Sequence, residues 1–418
     1  MLRSSLCIDL GAAVTKVAYR ELPESTTHLL RHPTLNFDES RFCIPSVAAH
    51  NLRTDAWAFG VDPMDLRAGE FIEVFRNWKS DLFHYDTGVP LGIDFLEDAS
   101  PMLLEFLQFT YPRLKSRDVA VRYLRWLHNE MIPAMLGKPI PPGVEVQVCV
   151  PEFVIQGSVG PLVEKIMEEA GFENAGLYTL SEPKANLIGV LTEGRNVLAR
   201  SGRPSRTGMF GDGHIIGRLS HGESVLFIDI GAYTTDLALA DLSRDDEGSF
   251  DDDPSESTPL GVSLLDKMVV SRLEPRLRQV FGESLSASDW ELIHARDYGG
   301  EHHFGASSWV APDGSKLPQD LVHHCLEEFS SKVSLIVQRF LEQNRPTSLR
   351  TAVLTGGGSN LTQVANRLVR ELAGLGIRVL YAPESTFVPQ EIEKHPLRQE
   401  LVRGASGIGG ASILFAKH

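Results

Sequence analysis

Asp9 and Asp229 each close an apolar run and are followed two residues later by a glycine. Leu6–Tyr19 reads LCIDLGAAVTKVAY, and Val225–Leu242 reads VLFIDIGAYTTDLALADL. Each segment predicts a β-hairpin, because apolar and β-branched residues flank a short turn whose glycine, Gly11 or Gly231, takes backbone angles that other residues resist. Successive amides in such a turn form a concave nest for anionic oxygens, and an aspartate at the strand end suits a water-coated magnesium ion. One such unit alone is better explained as an ordinary hairpin with an Asp-Gly turn. Two, one early in each half of the chain, suggest facing clamps for a polyphosphate.

A third stretch, Arg350 to Asn360 (RTAVLTGGGSN), runs an apolar strand straight into Gly356, Gly357 and Gly358. Glycines there let a flat ring or a ribose approach the backbone without meeting side chains. Glu182 precedes Pro183, a residue suited to the first turn of a helix, so its carboxylate either faces a crevice or compensates the helix N-terminus. Lys79 lies among apolar residues in Phe71–Phe83, either as a surface lysine on an amphipathic segment or as a charge aimed into a cleft.

The elements that must position these groups follow in order. After the first hairpin, Arg41–Ala49 predicts a strand entered through a proline, and Trp57–Gly60 a connection. Two helices are predicted over 101–136, broken at Tyr111-Pro112, with Tyr123 and Trp126 in the core. Val144–Pro151 alternates as a strand, Val159–Ala170 predicts a helix closed by Gly171, and Gly176–Leu180 a short strand: a crossover unit of an α/β sheet. Residues 195–223 read as an extended loop, and Asp241–Ser257 as a solvated acidic loop. Helices are predicted over 264–280, 321–340 and 361–373, then a strand at Val379 and a terminal helix whose small residues permit close packing.

At 418 residues the chain exceeds what one core usually supports, so two lobes of about 200 residues are expected. A formal charge of −15 argues against nucleic acid or an anionic membrane as the main ligand. No apolar run reaches the roughly 20 residues of a membrane span, and no cleavable signal is apparent, so a cytoplasmic location is expected. Cys7, Cys43, Cys149 and Cys325 show neither Cys-x-x-Cys spacing nor a secreted pattern and are expected to be reduced and mostly buried. His302–His303 and His323–His324 lack the companions of a zinc site and read as surface or loop residues.

In this order the motifs resemble the superfamily of actin, sugar kinases and heat-shock ATPases, over nearly the whole chain. Ile44-Pro-Ser-Val, Val150-Pro151 and Ser181-Glu-Pro are most similar to the nucleotide-binding domain of the seventy-kilodalton heat-shock chaperones, with bacterial actin homologues close behind; Leu354-Thr-Gly-Gly-Gly leans towards the latter. The resemblance implies an α/β, two-lobed actin-like ATPase fold, with duplicated ribonuclease H-like domains, mixed sheets flanked by helices and a nucleotide cleft between the lobes. Residues 1–191 would form lobe I, with a helical subdomain around 86–140. Residues 192–398 would form lobe II, and 399–418 a terminal helix returning to lobe I.

It further implies ATP or ADP with Mg2+ as ligands. Asp9 and Asp229 would hold the hydrated ion, Gly11, Ala12, Ala13 and Gly231, Ala232, Tyr233, Thr234 would cradle the phosphates, and Gly356–Gly358 would meet the adenosine. Glu182 would orient the attacking water, Lys16 matches actin's phosphate-contacting lysine, and Lys79 a catalytic lysine of the chaperones. Glu291 and His294 fall near the family's Glu-x-x-Lys adenosine contacts. Two departures, Ala12-Ala13 in place of hydroxyls and Gly231-Ala232-Tyr233 in place of three glycines, keep the backbone amides but lose hydroxyls and turn flexibility. Nucleotide binding with slow hydrolysis is therefore expected, since phosphoryl transfer depends on accurately placed donors.

Four functions fit this outline: a switch whose closure is read by an unidentified protein partner, a filament built by self-association, a small-molecule kinase, or a degenerate binder that does not hydrolyse ATP. The kinase requires a cleft aspartate as base, and no convincing one stands out. No β-sandwich substrate domain follows the terminal helix, so a complete chaperone is not expected.

Overall fold

The computed structural model describes residues 4–21, 27–33, 42–60, 72–75, 78–83, 112–156, 160–172, 176–190, 224–241, 253–272, 319–346, 348–381 and 404–412. Glu291, His294, the 195–223 segment, most of the acidic stretch after Asp241 and residues 86–111 of the expected helical subdomain lie outside them.

The N-terminal half supplies β1 (Ser5–Leu10), β2 (Val14–Arg20), β3 (His28–Leu29), β4 (Ile44–Pro45), β5 (Ala48–Asn51), β6 (Ala56–Phe59), β7 (Ile72–Phe75), β8 (Glu145–Val150) and β9 (Gly176–Ser181). The C-terminal half supplies β10 (Ser224–Ile230), β11 (Thr235–Asp241), β12 (Ser255–Thr258), β13 (Leu349–Thr355) and β14 (Arg378–Tyr381). These build two sheets of the same plan, ordered β3-β2-β1-β8-β9 and β12-β11-β10-β13-β14. In each, the hairpin strands pair antiparallel and the inner one then pairs parallel with a strand reached by crossover. Burial on both faces explains the apolar runs Leu6–Ile8 of β1, Val225–Ile228 of β10 and Ala352–Leu354 of β13. The mixed sheets, flanked by helices and arranged as two lobes, are the actin-like fold.

Each sheet has its own core. Trp78, Phe83, Tyr123 and Phe172 anchor the first, and Phe329, Val333 and Phe340 of the long helix Gln319–Asn344 anchor the second. Every fully buried Leu, Val or Phe contributes roughly 1.5–3 kcal/mol by leaving water. Helices 182–190 and 404–412 cross closely: a Cβ on Gly189 would strike the carbonyl of Ala405, and one on Gly409 that of Ala185. The small residues of the terminal stretch serve that crossing. The four cysteines are buried and form no disulfide, and His323 and His324 are exposed.

Several local expectations are revised. Arg41–Ala49 is not one strand: β4 pairs with β2, whereas β5 turns into a separate three-stranded sheet, β6-β5-β7. Pro45, lacking an amide proton, suits the break between them. Trp57–Phe59 is a strand of that small sheet, where Trp57 stacks on His50, Phe59 and Phe75. Ser255–Thr258, read as part of a solvated loop, is edge strand β12.

Candidate functional site

Both turns point into one cleft of about 930 Å3, open solvent at its mouth included. Hairpin register places the charged side chains. In the first hairpin Asp9 lies opposite Lys16, and Lys16 Nζ donates to Asp9 Oδ2 at 3.1 Å. In the second, with the same seven-residue spacing, Asp229 lies opposite Asp236. Directly opposed like charges destabilise a strand pair, so the second hairpin carries an uncompensated acidic pair where the first carries an ion pair.

Turn carbonyls are taken up by protein donors. Ser46 Oγ donates to Gly11 O at 2.7 Å and Ser46 N–H to Ala13 O at 2.9 Å; Val262 and Ser263 N–H donate to Gly231 O and Ala232 O at 3.1 and 3.0 Å. Gly356, at φ +83°, is packed so tightly that a Cβ would meet Asp229 Oδ1 and the backbone of Ile230. The glycine turn is thereby locked onto Asp229 and Ile230 of the neighbouring strand.

Glu182 begins helix 182–190, and Lys79, only 3% exposed, donates to its Oε1 at 2.6 Å. Lys79 is thus a cleft charge, the second of the two alternatives its sequence context left open. Burial pushes Glu182 up to about 8, against the pull of Lys79 and with repulsion from Asp236 and Asp9. Asp229 is raised to about 7 by burial, which outweighs Lys16, with Asp9 and Glu182 adding to the rise. Asp236 is raised to about 7 by burial and by Asp229, although Ser257 and Thr234 donate to it. For Lys16, burial is the largest single influence and favours the neutral form, but the charge and hydrogen bond of Asp9, with the neighbouring Cys43 and Asp229, together outweigh it and the pKa is raised.

Asp9, Gly11, Ala12, Ala13, Lys16, Lys79, Glu182, Asp229, Gly231–Thr234 and Gly356–Gly358, drawn from positions 9 to 358, all line this cleft. Glu291 and His294 lie outside the described residues. Sequence reading missed Asp236, Ser406 and, just behind the wall, Asn186 and Thr355. Asp236 had a signal, the spacing it shares with the Asp9–Lys16 pair. Asn186 and Ser406 had none.

Asp229 Oδ1 and Asp236 Oδ1 are buried and have no hydrogen-bond partner. Four carboxylates share the cleft with two lysines. This donor set fits a divalent cation. Among the described residues no three His, Cys, Asp or Glu converge closely enough to ligate a metal directly, so the fit is to an ion that keeps its water shell.

The fold and cleft together define the two-lobed actin-like class of structure. Among solved structures the chain is similar to that of MreB 5 of Spiroplasma citri bound to AMPPNP, with a TM-score of 0.51, 14% identity and 90% of both chains covered. At that identity the likeness speaks to the fold. No protein-family model matches the chain, and no curated protein matches it.

Proposed function

We propose that the cleft binds ATP and ADP with Mg2+, and that the chain is a slowly hydrolysing molecular switch whose lobe closure is read by a protein partner. The observation that carries this reading is the meeting of two Asp-x-Gly turns and one glycine turn around an acidic cleft with two unsatisfied carboxylate oxygens. The AMPPNP bound by the similar MreB 5 structure supports the ligand class.

In this reading the amides of Ala12, Ala13, Ala232 and Tyr233 meet the phosphates and Gly356–Gly358 the adenosine. Asp9 and Asp229, with Asp236 beside them, hold the ion through water. The ion, when bound, neutralises charge on the phosphate oxygens. Glu182 accepts a hydrogen bond from the attacking water, and Lys79 holds that carboxylate in place. ATP and ADP then favour different degrees of lobe closure.

A filament-forming actin homologue is the second reading, favoured by likeness to MreB 5 over 90% of both chains. The chaperone-like motifs Ile44-Pro-Ser-Val and Ser181-Glu-Pro favour the first. Among the described residues no helix is long and apolar enough to cross a membrane, and we place the protein in the cytoplasm. Calorimetric titration with ATP, with and without magnesium, tests the shared core of both readings. Magnesium-dependent binding that Asp229→Ala weakens is expected; absence of binding by the wild type refutes it.

A further inference from the structure

Asn186 lies one turn along helix 182–190 from Glu182, is 3% exposed and does not line the cleft. Its side-chain amide reaches from this helix to two strand ends of the second sheet. Nδ2 donates to Asp229 Oδ2 at 2.8 Å, and Oδ1 accepts from Thr355 Oγ1 at 3.2 Å. Asp229 and Thr355 are register partners in β10 and β13, and Thr355 Oγ1 also lies 3.4 Å from the Ile228 carbonyl. One amide therefore satisfies a buried carboxylate oxygen and takes the nearer of two acceptor contacts of a buried hydroxyl, an arrangement costly to break.

We propose that Asn186 is the positioning residue that couples the two lobes at the metal side of the cleft. Held by Asn186, Asp229 Oδ2 is engaged, while Oδ1, which has no hydrogen-bond partner, is packed against Gly356, so the orientation of this carboxylate at the cleft wall is set from both sides. The hold exists only while the helix that carries Glu182 stays in register with the second sheet. A single contact thus sets both the Asp229 carboxylate and its placement relative to Glu182. Ligand orientation by such outer groups is worth on the order of 10- to 100-fold in metal affinity or activity. The inference rests on the reading of the cleft as a magnesium–nucleotide site.

The test compares ATP affinity in magnesium and in EDTA for the wild type, Asn186→Ala, Thr355→Val and Asp229→Ala, with a melting curve for each. Asn186→Ala is expected to lose on the order of 10-fold of the magnesium-dependent gain, with affinity in EDTA unchanged. Thr355→Val should lose less, in the same direction. A cooperatively melting Asn186→Ala that keeps the wild-type gain overturns the inference, as does a loss of equal size with and without magnesium. If Asn186→Ala does not fold, Thr355→Val decides by the same criterion. A wild type whose affinity ignores magnesium, or matches Asp229→Ala, overturns the site reading and the inference with it. A failure confined to Asn186 leaves the site standing.

Discussion

Lys79 Nζ and Glu182 Oε1 lie 2.6 Å apart across 103 positions of sequence, both side chains nearly sealed from water. Removing one partner of such a pair strands a buried charge, at a typical cost of 3–5 kcal/mol. Lys79→Ala is expected to destabilise the ligand-free protein by roughly 3 kcal/mol at alkaline pH and by less below neutrality. Glu182, raised to about 8 by burial, then takes a proton and needs no counter-charge. Urea unfolding at two pH values measures this, and an equal loss at both would contradict it.

Glu182, Asp229 and Asp236 all hold protons more tightly in the folded chain than the ordinary carboxylate values of an unfolded one. The folded state therefore binds more protons between about pH 4 and 8, and its stability falls as pH rises through that window. Ligand-free protein should melt at a higher temperature at about pH 6 than at about pH 8.5. Magnesium should narrow the gap by stabilising the ionised cluster. Melting scans across pH would disprove the assignment if the temperature instead rose with pH.

Two adjacent glycines should behave differently. Gly356→Ala forces a side chain onto a positive φ and into Asp229 and Ile230, with an expected cost of about 1–3 kcal/mol and loss of nucleotide binding. At Gly357 a Cβ meets open space, so Gly357→Ala should leave the melting temperature unchanged while the added methyl weakens nucleotide binding in the cleft. Parallel melting and titration separate the two, and equal stability of both variants would count against the geometry of this turn.

Glu182→Ala is expected to slow ATP hydrolysis while binding is retained, because its proposed role is to orient water rather than to contact the phosphates. Single-turnover assays at saturating ATP read this directly. Turnover equal to wild type would remove that role.

Sedimentation with ATP and magnesium divides the two proposed functions. A pellet that depends on nucleotide supports the filament. Protein that stays monomeric at high concentration supports the switch read by another protein.

The two hairpins were legible in the chain because a turn and its flanking strands are local: apolar alternation, an Asp and a Gly fix both the strands and the direction of the turn. The glycine run at 356–358 was legible for the same reason, and strand, helix, strand order identified the crossover sheets. The seven-residue spacing shared by Asp9–Lys16 and Asp229–Asp236 is a local signal present in the sequence, but the hairpin register of the folded chain is what set these pairs face to face. Tertiary structure alone decided that Lys79 is buried against Glu182 and that Asn186 reaches Asp229 and Thr355. It also decided that Trp57–Phe59 joins a small third sheet. These contacts join residues distant in the chain, formed when helices and sheets pack, and a buried lysine on a short amphipathic segment carries the same local pattern as an exposed one.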